Sequence, residues 1–144
     1  MKQIIIINGP NLNLIGKREP DIYGSMSFDN FIPSLQQEFY HEAKISLFQS
    51  NHEGVLIDKL HEMGNVADGI VFNPGGYAHT SVALADAVAS INTPVVEVHI
   101  SNTFSREEYR HRSFTAGKAK GIIAGFGMES YRLAIIYLIS ISSK

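Results

Sequence analysis

Apolar residues along this chain fall into short runs separated by stretches of helical period. The first run, Gln3 to Ile7, holds four consecutive isoleucines, the composition of a strand buried on both faces. Ile45 to Gln49, Ile70 to Phe72, Pro94 to His99 and Ile122 to Ala124 predict four further strands. Between the first two, Phe28, Phe31, Ile32, Leu35 and Phe39 mark a helix from Ser27 to Ala43 with Ser27 as N-cap. Pro33 lies inside it. A proline there removes an intrahelical bond at a cost of about 3 kcal/mol, so the helix is expected to kink or to start after Ser27. Leu56, Leu60 and Met63 mark a second helix, stopped by Gly64 at a C′ position. Val82, Ala85, Val88 and Ile91 mark a third, capped by Thr80 or Ser81. Ser105-Arg-Glu-Glu has the spacing of a capping box and predicts a short helix through Arg112. Tyr131, Ala134, Leu138 and Ile141 line the last helix.

Strands and helices in alternation argue for an α/β fold with a parallel sheet. Right-handed crossovers and five strands favour a flavodoxin-like, doubly wound sheet of order 2-1-3-4-5 with helices on both faces. In such sheets a ligand binds outside the carboxyl ends of the strands, where the strand order reverses, here between the first and third strands. The loops after strands one, three and four are rich in Asn, Gly, His and Arg and should converge there. At 144 residues the chain reads as one domain, 1–144, able to bury roughly 70% of its unfolded surface.

Composition narrows the function. Net charge is −2 and no basic block exceeds two residues, which argues against nucleic acid as a partner. The absence of cysteine excludes disulfides, thiolate metal sites and thiol nucleophiles, and fits a reducing compartment. The apolar stretch before Asn8 is too short for a signal peptide, and Leu133 to Ile141 is too short to span a membrane. A cytoplasmic location is expected. His52-Glu53 and His61-Glu62 begin like a zinc-helix motif, but neither is completed by a histidine four residues after the first, so no metal is expected. His41, His52, His61 and His111 read as surface or helix-end residues.

The segment from Asn8 to Gly24 carries three Asn, three Gly and two Pro with no helical period. A connection of that length is usually functional. Leu12, Leu14, Ile15, Ile22 and Tyr23 give it apolar anchors, so 8–24 reads as a shaped lid over a site, carrying Arg18 and Tyr23. As a base, Tyr23 would need its phenol brought from near 10 to near 8, a cost of about 3 kcal/mol. One arginine about 4 Å away in a partly shielded site supplies about 4 kcal/mol. Arg18 and Arg106 are candidates. His99 ends the fourth strand with Glu97 two residues before it, on the same face. A carboxylate beside an imidazole fixes its tautomer and raises its basicity, as proton transfer near neutral pH requires. His79 lies in a Gly-rich loop before a helix N-terminus, a setting suited to an anionic or polar ligand. The Gly125-Phe-Gly-Met-Glu-Ser turn looks like part of a dinucleotide fingerprint, but it follows the last strand and reads as a tight strand–helix turn.

Taken in order, these blocks closely resemble the type II 3-dehydroquinate dehydratases: Asn8-Gly-Pro-Asn-Leu-Asn-Leu, Gly16-Lys-Arg-Glu-Pro, Tyr23-Gly24, Gln49-Ser-Asn-His-Glu-Gly, Asn73-Pro-Gly, His79-Thr-Ser-Val-Ala-Leu, Glu97-Val-His-Ile-Ser-Asn, Arg106-Glu-Glu-Tyr-Arg and Tyr131-Arg-Leu-Ala. The resemblance implies dehydration of 3-dehydroquinate to 3-dehydroshikimate in the shikimate pathway, with no metal or organic cofactor. It implies Tyr23 as proton-abstracting base, Arg18 as its activating arginine and His99 as general acid supported by Glu97. Asn11 would hold a water against the enolate, and Arg106 would lie near the tyrosine. Substrate contacts would fall on Asn73, His79, the Ile100-Ser101 backbone and Arg110, and Asp86 would reach a neighbouring subunit's site. The implied assembly is a homododecamer, a tetramer of trimers. Pro33 departs from the family pattern and bears on packing beside the lid. Gly76 departs as well, and adds backbone freedom next to Asn73. The alternative reading is a flavodoxin-like nucleotide- or flavin-binding module without dehydratase activity, holding phosphate at Gly75-Gly76 and a helix N-terminus. No loop has a P-loop pattern, and that reading leaves Tyr23 and His99 without a task.

Overall fold

A computed structural model describes residues 1–16 and 26–141. Five parallel strands, β1 (Lys2–Asn8), β2 (Ala43–Gln49), β3 (Gly69–Asn73), β4 (Val95–His99) and β5 (Gly121–Ala124), form one sheet of order β2-β1-β3-β4-β5. The expected flavodoxin-like order is therefore the observed one. Ile5 pairs with Ser46 on one side and Ile70 on the other, which places β1 inside the sheet and accounts for its unbroken apolar run.

The period-2 geometry of β1 sends alternate isoleucines to opposite faces. Ile4 and Ile6 join Phe28, Phe31 and Leu35 of α1 (Phe28–Glu38) and Tyr131, Ala134, Ile135 and Leu138 of α4 (Glu129–Ser140). Ile5 and Ile7 join Leu56 and Leu60 of α2 (Glu53–Met63) and Leu84, Ala87 and Val88 of α3 (Val82–Ser90). Helices thus cover both faces, two on each.

Several expected element details are corrected. The first helix begins directly after Ser27 and runs through Pro33, but ends at Glu38, because Ala43 is needed as the first residue of β2. Pro33 and Asp29, whose carbonyl loses the Pro33 donor, both lie on the solvent side of α1, where water can serve that carbonyl. Gly64 ends α2 at φ −65°, in the right-handed region, so it is not a left-handed C′ glycine. Its lack of a side chain serves packing: a Cβ there would stand 2.3 Å from Ile91 Cγ2. Of the two residues expected to cap α3, Ser81 does so, its hydroxyl accepting from the Leu84 amide at 2.9 Å. No α-helix forms over Ser105–Arg112. That connection makes 3-10 turns at Thr103–Ser105 and Glu108–Arg110, the first capped by Asn102 Oδ1 on the Phe104 amide at 3.1 Å. Among the described residues no helix is long and apolar enough to cross a membrane.

The carboxyl ends of β1 and β3 are tied to α4 by one buried phenol. The Tyr131 hydroxyl donates to Asn8 Oδ1 at 2.8 Å and accepts from Asn73 Nδ2 at 2.8 Å. Burial pushes this phenol well above its ordinary range, so it stays protonated, although both hydrogen bonds act in the opposite direction. Tyr131→Phe is expected to cost about 1–3 kcal/mol, because two buried asparagine groups lose their shared partner. Chemical denaturation checks this, and an unchanged midpoint would mean that the two asparagines find other partners.

Candidate active site

A cleft opens where the strand order reverses, outside the carboxyl ends of β1, β3 and β4. Asn11, Asn73, His79, His99, Ile100, Ser101, Arg106 and Arg110 all line it. Three loops converge there as expected, each for a local reason.

After β1, the chain turns at Asn11, which adopts φ 69°, a left-handed conformation that asparagine tolerates better than most side chains. The Asn51 side chain holds this turn by accepting from the Asn11 amide at 3.0 Å. Leu12 and Ile15 anchor the loop in the same core cluster as α1 and α4. Gly9 is required by close approach, since a Cβ there would meet the Pro74 carbonyl oxygen at 2.5 Å. Arg18 and Tyr23, the expected base and its activator, lie outside the described residues, as does Ile22.

After β3, Asn73 Oδ1 accepts from the Gly75 amide at 3.0 Å, folding Gly75–His79 into a 3-10 turn. Gly75 has φ 61° and needs to be glycine, whereas a Cβ on Gly76 would meet nothing within 4 Å. The turn ends on His79, whose Nδ1–H donates to the Arg112 carbonyl at 2.7 Å. Nε2 is then left as an acceptor. Partial burial lowers the His79 pKa below 6.5, aided by nearby His99 and Arg110 and opposed by the Arg112 carbonyl and Glu97, so the ring is neutral at pH 7.

After β4, the His99 ring stacks near His79, with centroids 6.1 Å apart and planes inclined by 25°. Glu97 is fully buried and its Oε2 lies 2.8 Å from His99 Nε2. Nε2–H is the donor to that carboxylate, leaving Nδ1 as the ring nitrogen available to the cleft. Ser113 Oγ donates to Glu97 Oε2 at 2.7 Å, and Thr115 Oγ1 donates to Glu97 Oε1. Arg106 Nη1 reaches Ser101 Oγ at 3.2 Å, and Arg110 Nε reaches Glu107 Oε2 at 3.2 Å. Glu107, held by the Tyr109 hydroxyl and Arg110, is lowered to about 2 and stays charged throughout the neutral range.

In the glycine turn after β5 the two glycine amides are engaged: Gly125 N donates to the His99 carbonyl at 3.2 Å and Gly127 N to the Ile100 carbonyl at 2.9 Å. The turn braces the end of β4. Asp86 lies exposed on α3 and does not line the cleft. His41, His52, His61 and His111 are exposed, as expected.

Sequence reasoning missed Ser113 and Thr115, which contact Glu97 across 16 and 18 residues from a stretch with no motif. It also missed Asn8 and Asn51, for which the Asn-rich loops were the available signal.

The dehydroquinase class II family matches residues 2–139. The chain belongs to the class II dehydroquinases. The 3-dehydroquinate dehydratase of Bacillus licheniformis is 50% identical over 149 residues, covering 100% of both chains. That of Trichodesmium erythraeum is 55% identical over 135 residues, covering 92% of this chain and 89% of the relative. The crystal structure of a type II dehydroquinase from Butyrivibrio crossotus superposes with a TM-score of 0.92 at 44% identity, covering 96% of this chain and 98% of that one. Within this family, the cleft at the switch point and the Glu97–His99 pair are the features whose chemistry needs explanation.

Proposed function

We propose that this chain is a 3-dehydroquinate dehydratase that eliminates water from 3-dehydroquinate to give 3-dehydroshikimate, a step of the shikimate pathway, as a single domain with residues 8–24 as its lid. The observation that carries the reading is the buried Glu97 behind His99, at the head of a cleft that Asn11, Asn73, His79, Arg106 and Arg110 also line. The elimination breaks a C–H bond alpha to a ketone and a C–O bond beta to it, so it needs a base, an enolate stabiliser and an acid. Tyr23, ionised by Arg18 with Arg106 nearby, takes the proton. Asn11 holds a water against the enolate oxygen. His99, charged against Glu97, gives its Nδ1 proton to the departing hydroxyl, which leaves as water. Asn73, His79, the Ile100-Ser101 backbone and Arg110 hold the substrate's hydroxyl and carboxylate groups.

Adding 3-dehydroquinate to the purified protein should generate the enone absorbance of the product; no absorbance change would sink the reading. The proposed assembly is a homododecamer of four trimers in which exposed Asp86 serves a neighbouring site, working in the cytoplasm. Sedimentation should then give twelve chains, and a monomer would overturn that part.

His79 gives a pH signature. Its folded-state pKa lies below 6.5, so protonation, which turns the Nε2 acceptor into a donor, comes only at lower pH. Substrate affinity should be level from pH 8 down through 6.5 and weaken below it. In His79→Asn that acid-side loss should vanish; its persistence would assign it to another group.

A further inference from the structure

We propose that Ser113 and Thr115 are positioning residues for the Glu97–His99 pair, their two hydroxyls holding Glu97 ionised so that His99 carries its proton toward the cleft. The inference rests on the reading of His99 as general acid.

Glu97 is fully buried, and a buried carboxylate keeps its charge only where donors replace the water it lost. Two hydroxyls and a ring nitrogen supply them. His99 Nε2 and Ser113 Oγ both converge on Oε2, at 2.8 and 2.7 Å, and Thr115 Oγ1 bonds Oε1. The hydroxyl protons are committed in that direction. The Ala116 amide donates to Ser113 Oγ at 3.0 Å, filling an acceptor site and turning the serine proton away from its own backbone. The Ser113 and Thr115 oxygens lie 3.1 Å apart, so two protons serve three contacts. An ionised Glu97 claims both; a protonated one would release one of them to the Ser113–Thr115 contact.

The strap that carries these hydroxyls is fixed at both ends. The Phe114 amide donates to the Ala78 carbonyl at 2.8 Å, and the Thr115 carbonyl accepts from the Lys118 and Ala119 amides at 3.1 and 3.2 Å. The Arg112 carbonyl, on the same strap, orients His79. One stretch of four residues therefore sets the proton positions of both histidines.

Removing the hydroxyls changes where the shared proton rests. With fewer donors on Glu97, the proton between it and His99 settles on the carboxylate, and His99 becomes neutral with its remaining proton on Nδ1. A neutral imidazole is a far weaker acid. Among the described residues, the other titratable groups around the pair are His79 from the turn after β3 and Arg106 and Arg110 from the connection after β4. All three are left in place by substitutions at 113 and 115.

The test compares Thr115→Val, Ser113→Ala, the double variant and Thr115→Ser. Thr115→Val, which keeps the side chain's shape, is expected to lower kcat about 10–100-fold at pH 7 with KM within about threefold. The descending alkaline limb of the kcat profile should move to lower pH. Thr115→Ser, which restores the hydroxyl, should recover kcat and the limb. Nitrogen-15 spectra of labelled histidine give a readout free of turnover. His99 should carry Nε2–H in the wild type and Nδ1–H in the double variant. Unchanged kcat, limb and tautomer in the double variant would overturn the proposal, as would a loss in Thr115→Val that Thr115→Ser fails to rescue. His99→Asn separates the two readings. If it keeps wild-type kcat, the general-acid assignment fails, while the tautomer spectra still decide whether the two hydroxyls govern the pair. If Ser113→Ala proves unstable, the threonine pair of variants decides alone.

Discussion

His99→Asn is expected to lower kcat by about 10²–10⁴-fold while 3-dehydroquinate still binds, the range that a positioned proton donor contributes. The β-hydroxyl is a poor leaving group and departs readily only as water. His99 ends β4 with its ring held on one side by Glu97 at 2.8 Å and on the other by the near-parallel His79 ring. That leaves little freedom for its orientation, and a carboxylate behind the ring suits the proton-donating role proposed for it. Asparagine fills similar space and can still hydrogen-bond to Glu97, but it has no proton to give. The loss should therefore appear in kcat with KM little changed. Glu97→Gln should lose less, because the ring keeps a partner while its charge is no longer favoured. Near-normal turnover in His99→Asn would leave the leaving group to another acid and detach the buried carboxylate from the chemistry.

What the residue pattern announced, and what it did not, follows from the range of the interactions involved. The isoleucines of β1 are legible because a strand between two neighbours needs apolar residues on both faces, and the structure divides Ile4 and Ile6 from Ile5 and Ile7 accordingly. The convergence of three polar loops follows from strand order, a property of topology that alternating elements reveal. The failures are non-local or close to the site. Ser105-Arg-Glu-Glu has capping-box spacing, yet the connection makes two separate 3-10 turns that bring Arg106 and Arg110 to the cleft instead of stacking them on one helix. Gly64 looks like a helix stop, but its smallness answers Ile91 on another segment. Ser113 and Thr115 have no local signature, since what they serve is a carboxylate on β4, far away in the sequence. The roles of Arg18 and Tyr23 rest on family likeness and on chemistry, because both lie outside the described residues.

Tyr23→Phe, which removes the proposed base, is expected to lower kcat by at least about 10²–10⁴-fold with substrate affinity retained, since that oxygen would act on the proton only as the C–H bond breaks. None of the described tyrosines lines the cleft. Tyr131, which bonds the cleft residue Asn73, is pushed upward by burial and shares its hydroxyl with Asn8 and Asn73, so it cannot substitute as base. A phenol with its ordinary value near 10 would be ionised in only about one molecule in a thousand at pH 7. Bringing it to near 8 costs about 3 kcal/mol, which a guanidinium at about 4 Å can meet with about 4 kcal/mol. Arg18→Ala removes that cation. The base must be ionised to act, so the rising limb of the rate profile should move toward pH 10 and turnover at pH 7 should drop by about 100-fold. Activity should partly return as the assay is made alkaline, a recovery that Tyr23→Phe cannot show. If Arg18→Ala leaves the rising limb where it was, phenol activation passes to Arg106, which already lines the cleft beside Ser101. If Tyr23→Phe turns over at the wild-type rate, the base is not this phenol and the proposed order of proton movements fails at its first step.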